Sequence, residues 1–270
     1  MEQNQTMSSV ISANGISINY RFDGPEDGPV VMFSNSLISN YTMWDDQVEV
    51  ITSAGYRMLR YDARGHGGTD APNTPYSITM FAADVTGLLD VLGIEKVHFV
   101  GLSMGGFIAQ LLAAYQPDRV LSLALCDTAC TMPTEQLWND RIAEAQAGGT
   151  AALADATLGR WFTAPFHESN PKEVGLVREM INASNVIGYI GCARAIRDMS
   201  QCDVLAGIKA PTIVIVGESD PACPVASAEV LHNGIEGSKL VIIKDSAHLP
   251  NIQKRDEFNS ILLHFLGTHR

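Results

Sequence analysis

The chain has 270 residues, 46% hydrophobic and 18% charged, a composition that suits a globular protein with a sizeable core and excludes a disordered one. Its 30 Asp and Glu against 18 Lys and Arg leave a net charge of -12, a field that repels nucleic acid and anionic membrane, so neither is an expected partner. A small anionic substrate would need a cation placed beside it.

In chain order, residues 8–22 alternate apolar and polar about Asn14-Gly15, the pattern of a β-hairpin. After the turn-rich residues 23–29, Val30-Val31-Met32-Phe33 is an unbroken apolar run suited to a strand buried on both faces. Ser34-Asn35-Ser36-Leu37 then forms a polar loop at that strand's carboxyl end, where open α/β sheets bind ligands. A helix is predicted over 44–54 and a strand over 57–62, which enters the loop Ala63-Arg64-Gly65-His66-Gly67-Gly68. His66, between glycines, reads as a structural hydrogen-bonding residue rather than a base. Apolar residues at helical spacing over 78–92 stop at Gly93.

A strand at 96–100 then leads through Gly101-Leu102-Ser103-Met104-Gly105-Gly106 into a helix over 107–115. G-x-S-x-G between strand and helix is the nucleophile-elbow pattern of α/β-hydrolases. A serine in so tight a turn crowds the residues two before and two after it, so a side chain at Gly101 or Gly105 would collide with neighbouring backbone. A strand at 120–126 continues the alternation, which predicts an α/β fold with a mostly parallel, doubly wound sheet. From 131 to 202 no strand is evident, only helical segments at 135–147, 151–161, 172–184 and 187–198. The predicted organisation is a core of 1–130 and 203–270 with a helical cap, 131–202, inserted in it. Strands return at 212–216 and 240–243, and a helix over 256–266 closes the chain.

Five cysteines, Cys126, Cys130, Cys192, Cys202 and Cys223, are odd in number and include no C-x-x-C pair. They predict buried free thiols in a reducing compartment, and neither a disulfide framework nor a zinc site. Residues 1–10 are polar and carry Glu2, unlike a secretory leader, and no apolar run approaches the roughly 20 residues that span a bilayer. The expected location is the cytoplasm.

A serine hydroxyl needs a base to take its proton. His248 lies in a loop after the last strand and Asp220 in a loop after the strand before it, and Ser103, Asp220, His248 is the chain order of the α/β-hydrolase triad. Asp127, also after a strand, is the rival acid. His98 reads as a packed strand residue, His232, His264 and His269 belong to surface helices or the tail, and His167 to the helical insertion. Donors to the tetrahedral oxyanion are expected from the backbone N–H of Met104 and of Leu37.

Three stretches, Ser34 to Leu37 with Met43-Trp44-Asp45, Leu59 to Gly67, and Gly101 to Gly106, resemble the 3-oxoadipate enol-lactonases of the α/β-hydrolase superfamily. So do Ala151 to Leu158 with Arg160-Trp161-Phe162, Cys192 with Ala195 to Met199, and Ala247-His248-Leu249. The resemblance implies hydrolysis of a carboxylate-bearing enol-lactone in aromatic catabolism, with no metal or organic cofactor. Leu137-Trp138-Asn139-Asp140-Arg141 is similar to the family's Trp-x-x-Arg, which implies that Arg141 meets the substrate carboxylate and that Trp138 lines the site. Ile38 stands where the family often has glycine, and Asp127 where it often has asparagine; both bear on pocket shape. Alternatives are a lactonase or carboxylesterase of other specificity, such as one for N-acyl-homoserine lactones, and, from another class, an α/β-hydrolase-fold ligand receptor. The expected partner is a small lactone or ester, and the oligomeric state is left open.

Overall fold

The computed structural model describes residues 8–132 and 134–270. Eight strands form one sheet: β1 (Ser9–Ala13), β2 (Ile16–Asp23), β3 (Val30–Ser34), β4 (Arg57–Tyr61), β5 (Val97–Leu102), β6 (Val120–Cys126), β7 (Thr212–Gly217) and β8 (Lys239–Ile243). Their spatial order is β1-β2-β4-β3-β5-β6-β7-β8. The hairpin β1–β2 turns at Asn14 and Gly15, both at positive φ, and joins β4 antiparallel; every pairing from β4 to β8 is parallel. The apolar runs of β5 and β7 are buried along their whole length, as a sheet covered on both faces requires, whereas β1 and β8 are exposed edges.

Helices α1 (Asp45–Ser53), α2 (Ile78–Val91) and α3 (Met104–Tyr115) connect the strands of the first half. The chain adds strands outward from β3 to β4, then crosses back to lay β5 on the other side of β3. This is the topological switch point, and the loops leaving the carboxyl ends of β3 and β5 face each other there.

Between β6 and β7 lie α4 (Glu135–Gly148), α5 (Ala154–Trp161), α6 (Ala164–Ser169), α7 (Pro171–Asn182) and α8 (Val186–Arg197). The short α6 was not expected from the sequence; Pro165 opens it, a position at which a missing N–H costs nothing. After β7 come α9 (Val225–Gly234), α10 (Pro250–Gln253) and α11 (Arg255–Gly267). Among the described residues no helix is long and apolar enough to cross a membrane.

One expectation is corrected. Cys130 and Cys202 form a disulfide, and Cys202 is exposed, so only Cys126, Cys192 and Cys223 are buried free thiols. The helical segment leaves and re-enters the core at neighbouring points, which brings the two Cα atoms to 4.8 Å across a separation of 72 residues. A bridge between Thr131 and Ser200, and Gln201 N donating to Cys130 O at 2.9 Å, close the same junction. Spacing in sequence carries no trace of this meeting.

A loop of 72 residues closed by a disulfide loses up to about 4 kcal/mol of unfolded-state entropy. Reduction, or the double substitution Cys130→Ser with Cys202→Ser, should therefore lower the unfolding free energy by about 2–4 kcal/mol in urea titrations. An unchanged urea midpoint would contradict a closed bridge.

Candidate active site

Ser103 follows β5 directly and precedes α3 with φ 54° and ψ -113°. A residue with a side chain holds that backbone only where its surroundings impose it. Here Ser103 N donates to Cys126 O at 2.9 Å, and Ser103 O accepts from the Thr128 hydroxyl at 2.8 Å and from Gly106 N at 2.9 Å. A Cβ on Gly101 would overlap the Gly105 carbonyl, and one on Gly105 the Ser34 carbonyl, so the two glycines are what let β3, β5 and α3 close around the turn. Ser103 is left half-buried on the wall of a cavity.

His248, in the loop after β8, lines the same cavity. Its Nδ1 donates to Asp220 Oδ2 at 2.8 Å, and Asp220 Oδ1 accepts from Ala222 N at 2.8 Å; both side chains are buried. The Nδ1–H tautomer leaves Nε2 as an acceptor, the form able to receive a serine proton. Trp161 of α5 lies over His248, ring centroids 6.3 Å apart and planes 29° from parallel.

The loop after β3 brings Leu37 to the cavity. Among the described residues the Leu37 and Met104 amides have no protein acceptor, whereas their neighbours are engaged: Ile38 N donates to His66 Nε2 at 2.9 Å and Ser36 N to Met43 Sδ at 3.3 Å. Ile38 itself sits at φ 62°, held by that bond. His66 is thus the structural residue its loop position suggested. Burial pushes its pKa down to about 4, and its Nδ1 faces Arg64 O at 3.2 Å. The loop carrying it is anchored by the paired bonds of Arg64 to Asp84, at 2.8 and 2.6 Å. It also packs against α8, where Gly188 meets the Gly65 backbone and Cys192 Sγ donates to Arg64 O at 3.4 Å.

From the helical segment, Trp138 and Arg141 reach the cavity. The Arg141 guanidinium lies 4.9 Å from the Trp138 ring centroid, and Trp138 Nε1 is buried with no partner among the described residues. A second cation that sequence reasoning left without a role, Arg160 of α5, lines the same space. Neither guanidinium has an ion-pair partner among the described residues. Burial lowers the Arg141 pKa, and burial with the nearby Arg141 charge pushes Arg160 down to about 10. Both are cations at neutral pH with no carboxylate within ion-pair distance among the described residues, Glu144 acting on them only at longer range.

Leu37, Ser103, Trp138, Arg141 and His248 therefore share one cavity, with Asp220 behind His248 and the Met104 amide at the start of α3. Asp127, the rival acid, makes no bond to His248; its Oδ1 accepts from Gly217 N at 2.8 Å. His98 is packed in β5 against Ser122, at 2.8 Å.

A family model described as the alpha/beta hydrolase fold matches residues 29–255. The chain is 34% identical over 260 residues to 3-oxoadipate enol-lactonase 1 of Acinetobacter baylyi, covering 96% of both chains. Among solved structures it is similar to the enol-lactonase from Burkholderia xenovorans, with a TM-score of 0.93 and 37% identity over 96% of this chain and 100% of that one. It is also similar to an N-acyl homoserine lactone degrading enzyme, with a TM-score of 0.83 and 27% identity over 95% of this chain and 100% of that one.

The neutral His66 makes stability pH dependent. Between its ordinary pKa of 6.5 and the native value of about 4 the unfolded chain binds a proton that the native one does not, so His66 removes stability as pH falls through that window. Replacement by Gln keeps an acceptor and removes the titration. The urea midpoint of His66→Gln should fall less than that of the parent between about pH 7 and pH 5; parallel curves would refute a buried neutral imidazole.

Proposed function

The chain belongs to the 3-oxoadipate enol-lactonase family of the α/β-hydrolase superfamily, and from that premise we propose that it opens 3-oxoadipate enol-lactone to 3-oxoadipate through an acyl-enzyme on Ser103. The observation that carries this reading is the meeting, in one cavity, of a serine held in an elbow, a histidine paired to a buried carboxylate, and two guanidiniums with no ion-pair partner among the described residues. The helices between β6 and β7 act as a cap that supplies both guanidiniums and excludes water.

His248 Nε2 takes the Ser103 proton as the oxygen attacks the lactone carbonyl, and Asp220 holds the imidazole in its tautomer and stabilises the imidazolium. The Leu37 and Met104 amides hold the tetrahedral oxyanion, a donor of this kind being worth about 3–4 kcal/mol. Collapse expels the enol oxygen, which takes the proton from His248 and tautomerises to the ketone. Water activated by His248 then cleaves the ester, and the product carries one more carboxylate than the substrate. Arg141, stacked on Trp138, binds the substrate carboxylate; Arg160 offsets the charge that appears on the leaving oxygen and then on the new carboxylate. A neutral acyl-homoserine lactone would leave both cations unpaired, which favours the anionic enol-lactone over that substrate.

Steady-state kinetics test this. Ser103→Ala should lose at least about 10^4 in kcat on the enol-lactone and on p-nitrophenyl acetate alike. Arg141→Ala should raise KM for the enol-lactone by about 10–100-fold, and Arg160→Ala should lower kcat by about tenfold or more, each sparing p-nitrophenyl acetate. Equal losses on both substrates would sink the carboxylate assignment, and turnover by Ser103→Ala would sink the acyl-enzyme.

A further inference from the structure

Two carboxyl groups meet behind His248, and only one belongs to the mechanism above. Asp127 follows β6 at φ 42°, wholly buried, between the strand end that accepts from Ser103 N and the strand end that carries Asp220. Its amide donates to Ile215 O at 2.9 Å, and its Oδ1 accepts from Gly217 N at 2.8 Å. Its Oδ2 is buried and finds no donor among the described residues, and the Asp127 and Asp220 side chains lie within hydrogen-bonding reach of each other.

Two ionised carboxylates cannot lie together in a dry site; one must keep its proton. Asp220 accepts from both Ala222 N and His248 Nδ1, so each of its oxygens already has a donor that favours the carboxylate form. Asp127 has a single donor and no cation against it. The groups packed round it are the thiols of Cys126 and Cys223, the Asp220 carboxyl, and His248 beyond. Burial first, and the Asp220 charge second, hold its acid well above the usual carboxylate range.

We propose that Asp127 is a neutral acid whose proton is donated from Oδ2 to the Asp220 carboxylate, making it a positioning residue that fixes Asp220 for His248. The inference rests on Asp220 and His248 serving as the acid–base pair, and it does not depend on which ester or lactone is the substrate. With the proton in place, Asp220 is gripped by Ala222 N, His248 Nδ1 and Asp127, so its orientation and the His248 tautomer are set before substrate arrives. Without it, Asp220 would face a second negative charge and turn away from the imidazole.

Asparagine reproduces the neutral acid: its carbonyl oxygen can accept from Gly217 N and its amide can donate to Asp220, whereas alanine does neither. On p-nitrophenyl acetate, Asp127→Ala should lose at least about tenfold in kcat and Asp127→Asn should stay within about threefold of the parent. A second readout is independent of activity. The unfolded chain ionises Asp127 above about pH 4 while the native chain keeps it protonated, so this residue lowers stability as pH rises. Asp127→Asn should therefore be more stable than the parent at neutral pH, by a margin that widens as pH rises above the ordinary carboxylate range. A margin that stays flat as pH rises would mean an Asp127 ionised in the native chain and overturn the proposal, as would an Asn variant as inactive as the Ala variant. If instead Ser103→Ala retained turnover, the acyl-enzyme reading would fail while the stability margin still reported the proton on Asp127.

Discussion

Holding Ser103 at φ 54° costs about 1–3 kcal/mol, and three adjacent strands share the work of imposing it. The carboxyl end of β3 presses its Ser34 carbonyl against Gly105; the end of β6 accepts the Ser103 amide; β5 itself enters the turn through Gly101. Any widening of these contacts would let the turn relax and lower the hydroxyl back into the sheet. The central position of β3, β5 and β6, buried on both faces, is therefore what makes the elbow rigid. The same switch point between β3 and β5 brings the Leu37 loop to the cavity of the elbow, so one topological feature supplies both the proposed nucleophile and the donor that would receive the oxyanion.

The second organising constraint is electrostatic. A chain with net charge -12 gathers two arginines at a half-buried position and, among the described residues, gives them no carboxylate within ion-pair distance, only Glu144 at longer range. Burial and mutual repulsion depress the pKa of Arg160, which means that an anion entering the cavity recovers free energy the protein has forgone. Both residues come from helices between β6 and β7, tied to the core by the Cys130–Cys202 bridge at one end and by the Gly188–Gly65 contact at the other. That second contact touches the loop of His66, whose ring orients Ile38 and hence the Leu37 amide. A continuous set of packed groups thus joins the helices that carry Arg141 and Arg160 to the loop that carries Leu37.

Much of this was legible from local pattern. The apolar runs of β3, β5, β6 and β7 announced a parallel sheet, the G-x-S-x-G turn marked a candidate nucleophile at its centre, and loop position with chain order singled out Asp220 and His248, which the structure joins at 2.8 Å. Each of these signals is short-ranged: a period, a glycine, a residue at a strand's end. What escaped notice depends on contacts between distant segments. The Cys130–Cys202 bridge arises from the path of the insertion, and no spacing rule encodes it. Arg160 and the stacking of Trp161 on His248 lie on a helix whose periodicity gives no hint of which face meets the elbow. Asp127 was legible as a carboxyl at a strand end, but the carboxyl proposed as its partner, Asp220, lies in the loop after β7, whose last residue Gly217 is 90 residues on from Asp127, so its protonation could only be read in three dimensions.

The central claim is that the cavity selects an enol-lactone by its carboxylate. The most direct measurement compares kcat/KM of the unmodified protein for 3-oxoadipate enol-lactone and for the methyl ester of that same lactone's carboxyl group, which keeps the ring, the leaving group and nearly the size while removing the charge. Two partly buried arginines predict a preference for the free acid of about 100-fold or more. Equal values for the two compounds would contradict the account, and would leave a serine hydrolase whose paired guanidiniums serve something other than its substrate.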